Sequence, residues 1–143
     1  MSSIAWWRLA LLQVLAPMLA SCSSSETVDQ QSKLAASTAQ AAVLVSDAWT
    51  SGAAPSHYAS SALQSFAETL ADAGRQVESA AASDPAKRDA LAAAASRLSN
   101  AAKRAKDAVH AEQHAQVGQA QQELRAAQGD LATAYRNYFA PQR

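Results

Sequence analysis

Cysteine occurs once in the 143 residues, at position 22, so no disulfide can form within the chain and none of the paired spacings of a metal site is present. An excess of either charge is missing as well. Twelve Lys and Arg face 12 Asp and Glu, whereas nucleic-acid binding needs a clustered basic surplus. The only basic run, Lys103, Arg104 and Lys106, has no aromatics interleaved and reads as a solvated helix face, so no nucleic-acid partner is expected. With 17% charged residues and a mean hydropathy of -0.17, the chain is no multi-spanning membrane protein. Beyond position 22 there is no Cys, Met or Ile, which excludes c-type haem attachment and Met-based copper or haem ligation. Also lacking are a nucleophile beside a base, paired carboxylates on a loop and a Gly-rich phosphate cradle. Neither catalysis nor a cofactor is expected.

What is present begins with an address. Arg8 gives the first eight residues one positive charge, a largely apolar segment of eleven residues follows from Leu9 to Leu19, and the small residues Ala20 and Ser21 close it. That is the order of a secretory signal, and it falls short of the roughly 20 apolar residues of a membrane-spanning helix.

Leu19-Ala20-Ser21-Cys22 resembles the lipobox of bacterial lipoproteins, three positions of three before the cysteine. The resemblance implies that the Cys22 thiol is alkylated by diacylglycerol and that the Ser21–Cys22 bond is cut. It further implies that the new amino group is acylated, leaving a chain of 122 residues with a net charge of -1. Two or three acyl chains anchor a protein stably where one binds marginally, so the implied partner is a membrane held through lipid on Cys22. Ser23 stands where inner-membrane retention favours Asp. The implied location is therefore the bacterial cell envelope, at the periplasmic face of an outer membrane.

From Cys22 onward alanine supplies 34 of 122 residues, while Leu, Val and Phe together supply 16. Ala is the best helix former and buries little apolar area, so long helices around a thin core are expected. Thr50 to Ser56 holds both Gly52 and Pro55 and reads as a loop. Ser83-Asp84-Pro85 places a capping side chain before a proline, the start of a new helix. Leu63, Phe66, Leu70, Ala73, Val77 and Ala80 alternate steps of three and four, as do Leu91, Ala94 or Ala95, Leu98, Ala101 or Ala102, Ala105 and Val109. Val117, Ala120, Leu124, Ala127, Leu131, Ala134 or Tyr135, and Tyr138 continue in sevens. Leu34, Thr38, Ala41, Val45 and Ala48 or Trp49 give the first helix a weaker stripe. Seven beyond Ala105 is Glu112, yet the last stripe begins at Val117, and this slip of phase places a break near His110 to His114.

The expected fold is all-α, an antiparallel up-down four-helix bundle. The signal covers 1–21, a lipidated tether 22–26, and one domain 27–143 with helices at about 27–50, 57–82, 85–110 and 114–139. Leu70→Ala or Leu98→Ala should cost about 2 to 5 kcal/mol.

This topology gathers Trp49, His57, Tyr58, His110 and His114 at the end distant from Cys22, with Asp47, Asp107 and Glu112 nearby. A separation of four puts His110 and His114 on one face if the helix continues, a metal-chelating arrangement, but the pair falls where a turn is wanted and solvated polar residues belong there. No metal is assigned; His57, His110 and His114 are the weak candidates. Trp49 and Tyr58 either form a partner patch or plug the end of the bundle. Tyr135, Tyr138, Phe139, Arg136 and Arg143 lie at the opposite end, beside the lipidated terminus, where headgroup contact or core packing would suit them.

Cys22-Ser23-Ser24-Ser25 with Ala-rich heptads resembles the small helical envelope lipoproteins, murein lipoprotein among them. The terminal Lys used for wall attachment in that protein has no counterpart, because this chain ends in Pro141-Gln142-Arg143. The expected role is structural, scaffolding or accessory, through contact with an envelope protein or the envelope itself. The alternative is a periplasmic four-helix ligand or metal binder using the histidine tip. Oligomeric state does not follow from the sequence.

Overall fold

Each helix starts and stops where the backbone finds a partner for its unpaired groups. Ser23 accepts from the Glu26 amide through its hydroxyl at 3.2 Å and opens a helix over Ser24–Thr50, here α1. Pro55 precedes α2, Ser56–Ser79; Asp84 accepts from the Lys87 amide at 3.3 Å and opens α3, Pro85–His110; α4 spans His114–Tyr138. These elements come from a computed structural model that describes residues 23–141.

Two of the turns share one backbone device. At the end of α1, Gly52 takes φ 81° while its amide reaches the Trp49 carbonyl at 3.0 Å and the Ala53 amide reaches Ala48 at 2.8 Å. At the end of α3, Glu112 takes φ 54°, its amide reaches Val109 at 3.0 Å, and the Gln113 amide reaches Ala108 at 2.9 Å. Both are Schellman stops, one with the usual glycine and one with a glutamate that bears a left-handed cost of about 1 kcal/mol. Between α2 and α3, Arg88 donates to the Ala80 carbonyl at 3.0 Å and satisfies a carbonyl at the end of α2.

The pairs that cross between helices fix an antiparallel arrangement. Arg97 meets Asp130 at 3.2 Å and Arg104 meets Glu123, seven residues on in α3 and seven back in α4. Between α1 and α4, Tyr135 pairs with Asp29, Gln128 with Gln40 at 3.3 Å, and Gln121 with Asp47 at 2.6 Å. The Ser99 hydroxyl donates to the Ala67 carbonyl at 2.7 Å between α3 and α2. Neighbours in sequence pack together, α1 closes on α4, and α1 also meets α3 across the diagonal. The result is an all-α four-helix bundle with no strand among the described residues.

Leu63, Leu70, Leu91, Leu98 and Leu124 are fully buried with Val28, Val109 and Val117, and alanines fill the levels between them. The stripes expected for α2, α3 and α4 face this core, with Phe66, Ala80, Tyr135 and Tyr138 partly buried at its edges. For α1 the expected stripe is corrected at Leu34, which is 42% exposed; Thr38 and Trp49 are buried and Val45 packs against the core. The core face is Val28, Ala35, Ala39, Ala42, Val43 and Trp49, while Leu44 is 57% exposed. Ala occupies both faces of α1, so its leucines were the strongest contrast in the sequence, and both point outward. The boundaries shift too: α1 begins at Ser24, so residues 24–26 belong to the helix instead of a tether, and α2 stops at Ser79.

Candidate functional site

The turns after α1 and α3 meet at one end of the bundle. Trp49, 6% exposed, lies over the His114 ring with centroids 4.3 Å apart and planes at 24°. Its indole N–H donates to the Ser56 hydroxyl at 2.9 Å, and that hydroxyl donates to Glu112 Oε1 at 3.3 Å. One chain of contacts thus ties α1, α2, the α3–α4 turn and α4 together, and Trp49 seals the end of the core. Tyr58 is 61% exposed and takes no part in the seal.

The histidines of this tip are not a chelating set. The break puts His110 on the last residue of α3 and His114 on the first of α4, so the four-residue spacing no longer presents both rings on one helix face. His57 and His110 are exposed, and His114 has one ring face covered by Trp49. Asp47 is engaged by Gln121 at 2.6 Å and lies 3.9 Å from Arg125, while Asp107 pairs with Lys106 at 3.1 Å. No group of three or more His, Cys, Asp or Glu poised for a metal occurs among the described residues.

At the opposite end, Tyr135 donates to Asp29, which also pairs with Lys33 at 2.9 Å. The Tyr135 hydroxyl, and after it Lys33, hold the Asp29 carboxyl below the usual carboxylate range. The same hydrogen bond raises the Tyr135 hydroxyl, and the carboxylate raises Lys33. Phe139 packs its ring 4.8 Å from both Tyr135 and Tyr138. Tyr135 and Tyr138 are half-buried, so core packing accounts for their inner faces, while Phe139 and Arg136 remain exposed.

A feature that the sequence did not reveal opens just above this cluster. Between α1 and α4 runs a crevice of about 360 Å³ with walls of Ala36, Leu131, Ala132 and Tyr135. Ser32 lines it, and the Ser32 hydroxyl is buried with no hydrogen-bond partner. Lys33 and Arg136 flank its outer end, and Gln128 its inner end. The nearest signal in the sequence is the facing of small residues, Ser32 and Ala36 against Ala132, but their effect depends on a helix spacing that periodicity does not encode.

Leu19, Ala20, Ser21, Cys22 and Arg143 lie outside the described residues. Among those described, no helix is long and apolar enough to cross a membrane. No family model matches the chain, and no curated protein or solved structure matches it.

Proposed function

We propose that this chain is a lipid-anchored protein of the bacterial cell envelope, held at the membrane through Cys22 and working as a scaffolding or accessory bundle by contact with an envelope protein. The observation that carries the reading is Leu19-Ala20-Ser21-Cys22 standing directly before Ser23, the residue that caps α1. One residue separates Cys22 from the helix, so lipid on that cysteine would hold the Tyr138 and Phe139 end of the bundle against the bilayer and direct the Trp49 end away from it. Ser23 after the cysteine supports the outer membrane, with the bundle facing the periplasm.

The alternative, a ligand or metal binder at the histidine tip, has less behind it. The Trp49 ring covers one face of His114, and His110 sits on a different helix. We assign the chain no catalytic step.

Mass spectrometry of the chain purified from bacterial membranes tests the anchor. The expected amino-terminal peptide starts at Cys22 and carries diacylglycerol and an amide-linked acyl group; Cys22→Ser should move the protein to the soluble envelope fraction. An unmodified Cys22 thiol in a membrane-held chain contradicts the reading. Crosslinking in intact envelopes then identifies the partner, and crosslinks from the Tyr58 end are expected in preference to the membrane-proximal end.

A further inference from the structure

We propose that the crevice between α1 and α4 binds a single-chain amphiphile bearing a carboxylate, a ligand of the fatty-acid class. The inference goes beyond anchoring, since every residue it uses belongs to the bundle and none is part of the lipobox.

The crevice has an apolar interior and a cationic outer end. Ala36, Leu131 and Ala132 line the interior, and its 360 Å³ lies within the range of small-molecule sites, roughly 300 to 1,000 Å³. From Gln128 to Arg136 the helix advances about 12 Å, the length available to an extended alkyl chain. Two cross-helix bonds bracket it, Gln128 to Gln40 at 3.3 Å on the side of the Trp49 tip and Tyr135 to Asp29 on the other. An occupant therefore lies along the helices with its polar end toward the Tyr138 and Phe139 end of the bundle.

Three groups there suit a carboxylate. Arg136 donates to the Thr133 hydroxyl at 3.2 Å but pairs with no carboxylate among the described residues. Lys33 is steered beside the opening by its 2.9 Å pair with Asp29. The Ser32 hydroxyl, in a residue 4% exposed, has no partner, although Ser46 on the same helix satisfies its own at 2.8 Å by bonding the Ala42 carbonyl. A buried hydroxyl without a partner is costly, and a ligand oxygen would supply one. The Asp29 carboxylate at this end is engaged by both Tyr135 and Lys33, which leaves the guanidinium as the uncompensated group.

Photo-crosslinking tests the proposal on the full chain in its own membranes, with a diazirine-bearing decanoic acid as probe. Adducts are expected on the tryptic peptide 126–136, suppressed by excess decanoate and not by decanol. Ala132→Trp, which fills the crevice from an exposed position, should abolish them with helix content unchanged. Arg136→Gln should raise the decanoate needed for suppression about tenfold, the loss of one charge-assisted hydrogen bond. Leu44→Ala serves as the control and should leave labelling intact. Labelling spread over Leu34 and Leu44, or equal suppression by decanol, overturns the proposal. The purified parent and Cys22→Ser chains, compared at equal concentration in the same detergent, should also label alike; a severalfold rise in the variant assigns the crevice to the acyl group of the anchor itself and likewise overturns the proposal.

Discussion

Two seams of the bundle use the same small residues and end differently. Between α2 and α3, a Cβ at Gly74 would meet Ala95 Cβ at 3.4 Å and the Ala92 carbonyl at 3.5 Å, so the backbones run in near contact. Ser99, buried there, spends its hydroxyl on the Ala67 carbonyl at 2.7 Å. Between α1 and α4, Ser32 and Ala36 face Ala132 across an open crevice, and the Ser32 hydroxyl finds nothing. The difference lies in the fate of the buried hydroxyl. A crevice of about 250 Å³ also runs along the first seam, lined by Gly74, Ala92 and Ser99, but there the serine reaches a carbonyl of the neighbouring helix. Along the second seam Gln40 with Gln128 and Asp29 with Tyr135 span the two helices on either side of a serine that reaches none.

The sharpest way to break this contrast is to truncate one leucine from each side. Leu98→Ala removes a fully buried side chain next to the tight seam and should cost about 3 to 5 kcal/mol. Leu131→Ala borders the crevice, where part of the side chain already lacks neighbours, and should cost about 1 to 2 kcal/mol less. Urea denaturation of both variants measures the gap; equal losses would mean that the crevice is not open. Leu34→Ala and Leu44→Ala, on the outer face of α1, should each stay within about 0.5 kcal/mol of the parent.

A smaller effect sharpens the picture of the tight seam. Gly129 has no heavy atom within 4 Å of an added Cβ, so Gly129→Ala should stabilise by about 0.5 to 1 kcal/mol through helix propensity alone. Gly74→Ala gains the same propensity and buries a methyl in ordinary contact with Ala95 and the Ala92 carbonyl, so its gain should equal or exceed that of Gly129→Ala. A loss at Gly74 would show the two helices more tightly packed than the distances imply.

The smallest effect is a pH dependence at the bracket. The Asp29 carboxyl is held low in the folded chain, so its contribution is present above the unfolded carboxyl value and is lost as pH falls through the folded one. The Tyr135 hydroxyl is raised, so its contribution holds below the ordinary phenol range and is lost as pH climbs through its folded value. Tyr135 and Asp29 resonances followed by NMR should therefore titrate together in acid, and Tyr135→Phe should return Asp29 toward the ordinary carboxylate range. An Asp29 titration unchanged in Tyr135→Phe would mean that the bracket is absent in solution.

Three of the four core stripes could be read from the sequence because Leu63, Leu70, Leu91, Leu98, Leu124 and Leu131 mark one face at helical spacing. The break before His114 was legible as a slip of phase, although the Schellman stop that makes it sits on Glu112 instead of a glycine. In α1 one large residue misled: Leu34 faces outward, and the inward face is written largely in alanine and serine, which the outer face also contains. The histidine tip was legible as a place and not as a site, since a turn between His110 and His114 separates side chains that a continuous helix would align. The crevice was illegible because it depends on how far apart two helices stand, and a heptad count does not encode that distance.

The contrast between the seams is tested most directly by one pair of variants measured side by side in urea. Ser99→Ala removes a satisfied buried hydrogen bond and is expected to destabilise the bundle by about 1 kcal/mol, whereas Ser32→Ala removes a buried hydroxyl with no partner and is expected to be neutral or to stabilise by up to about 1 kcal/mol. Changes of opposite sign, or a loss at Ser99 alone, agree with one seam whose buried hydroxyl is satisfied and one whose buried hydroxyl is not. A loss at Ser32 equal to that at Ser99 would mean that the Ser32 hydroxyl has a protein partner, and would contradict the difference between the seams.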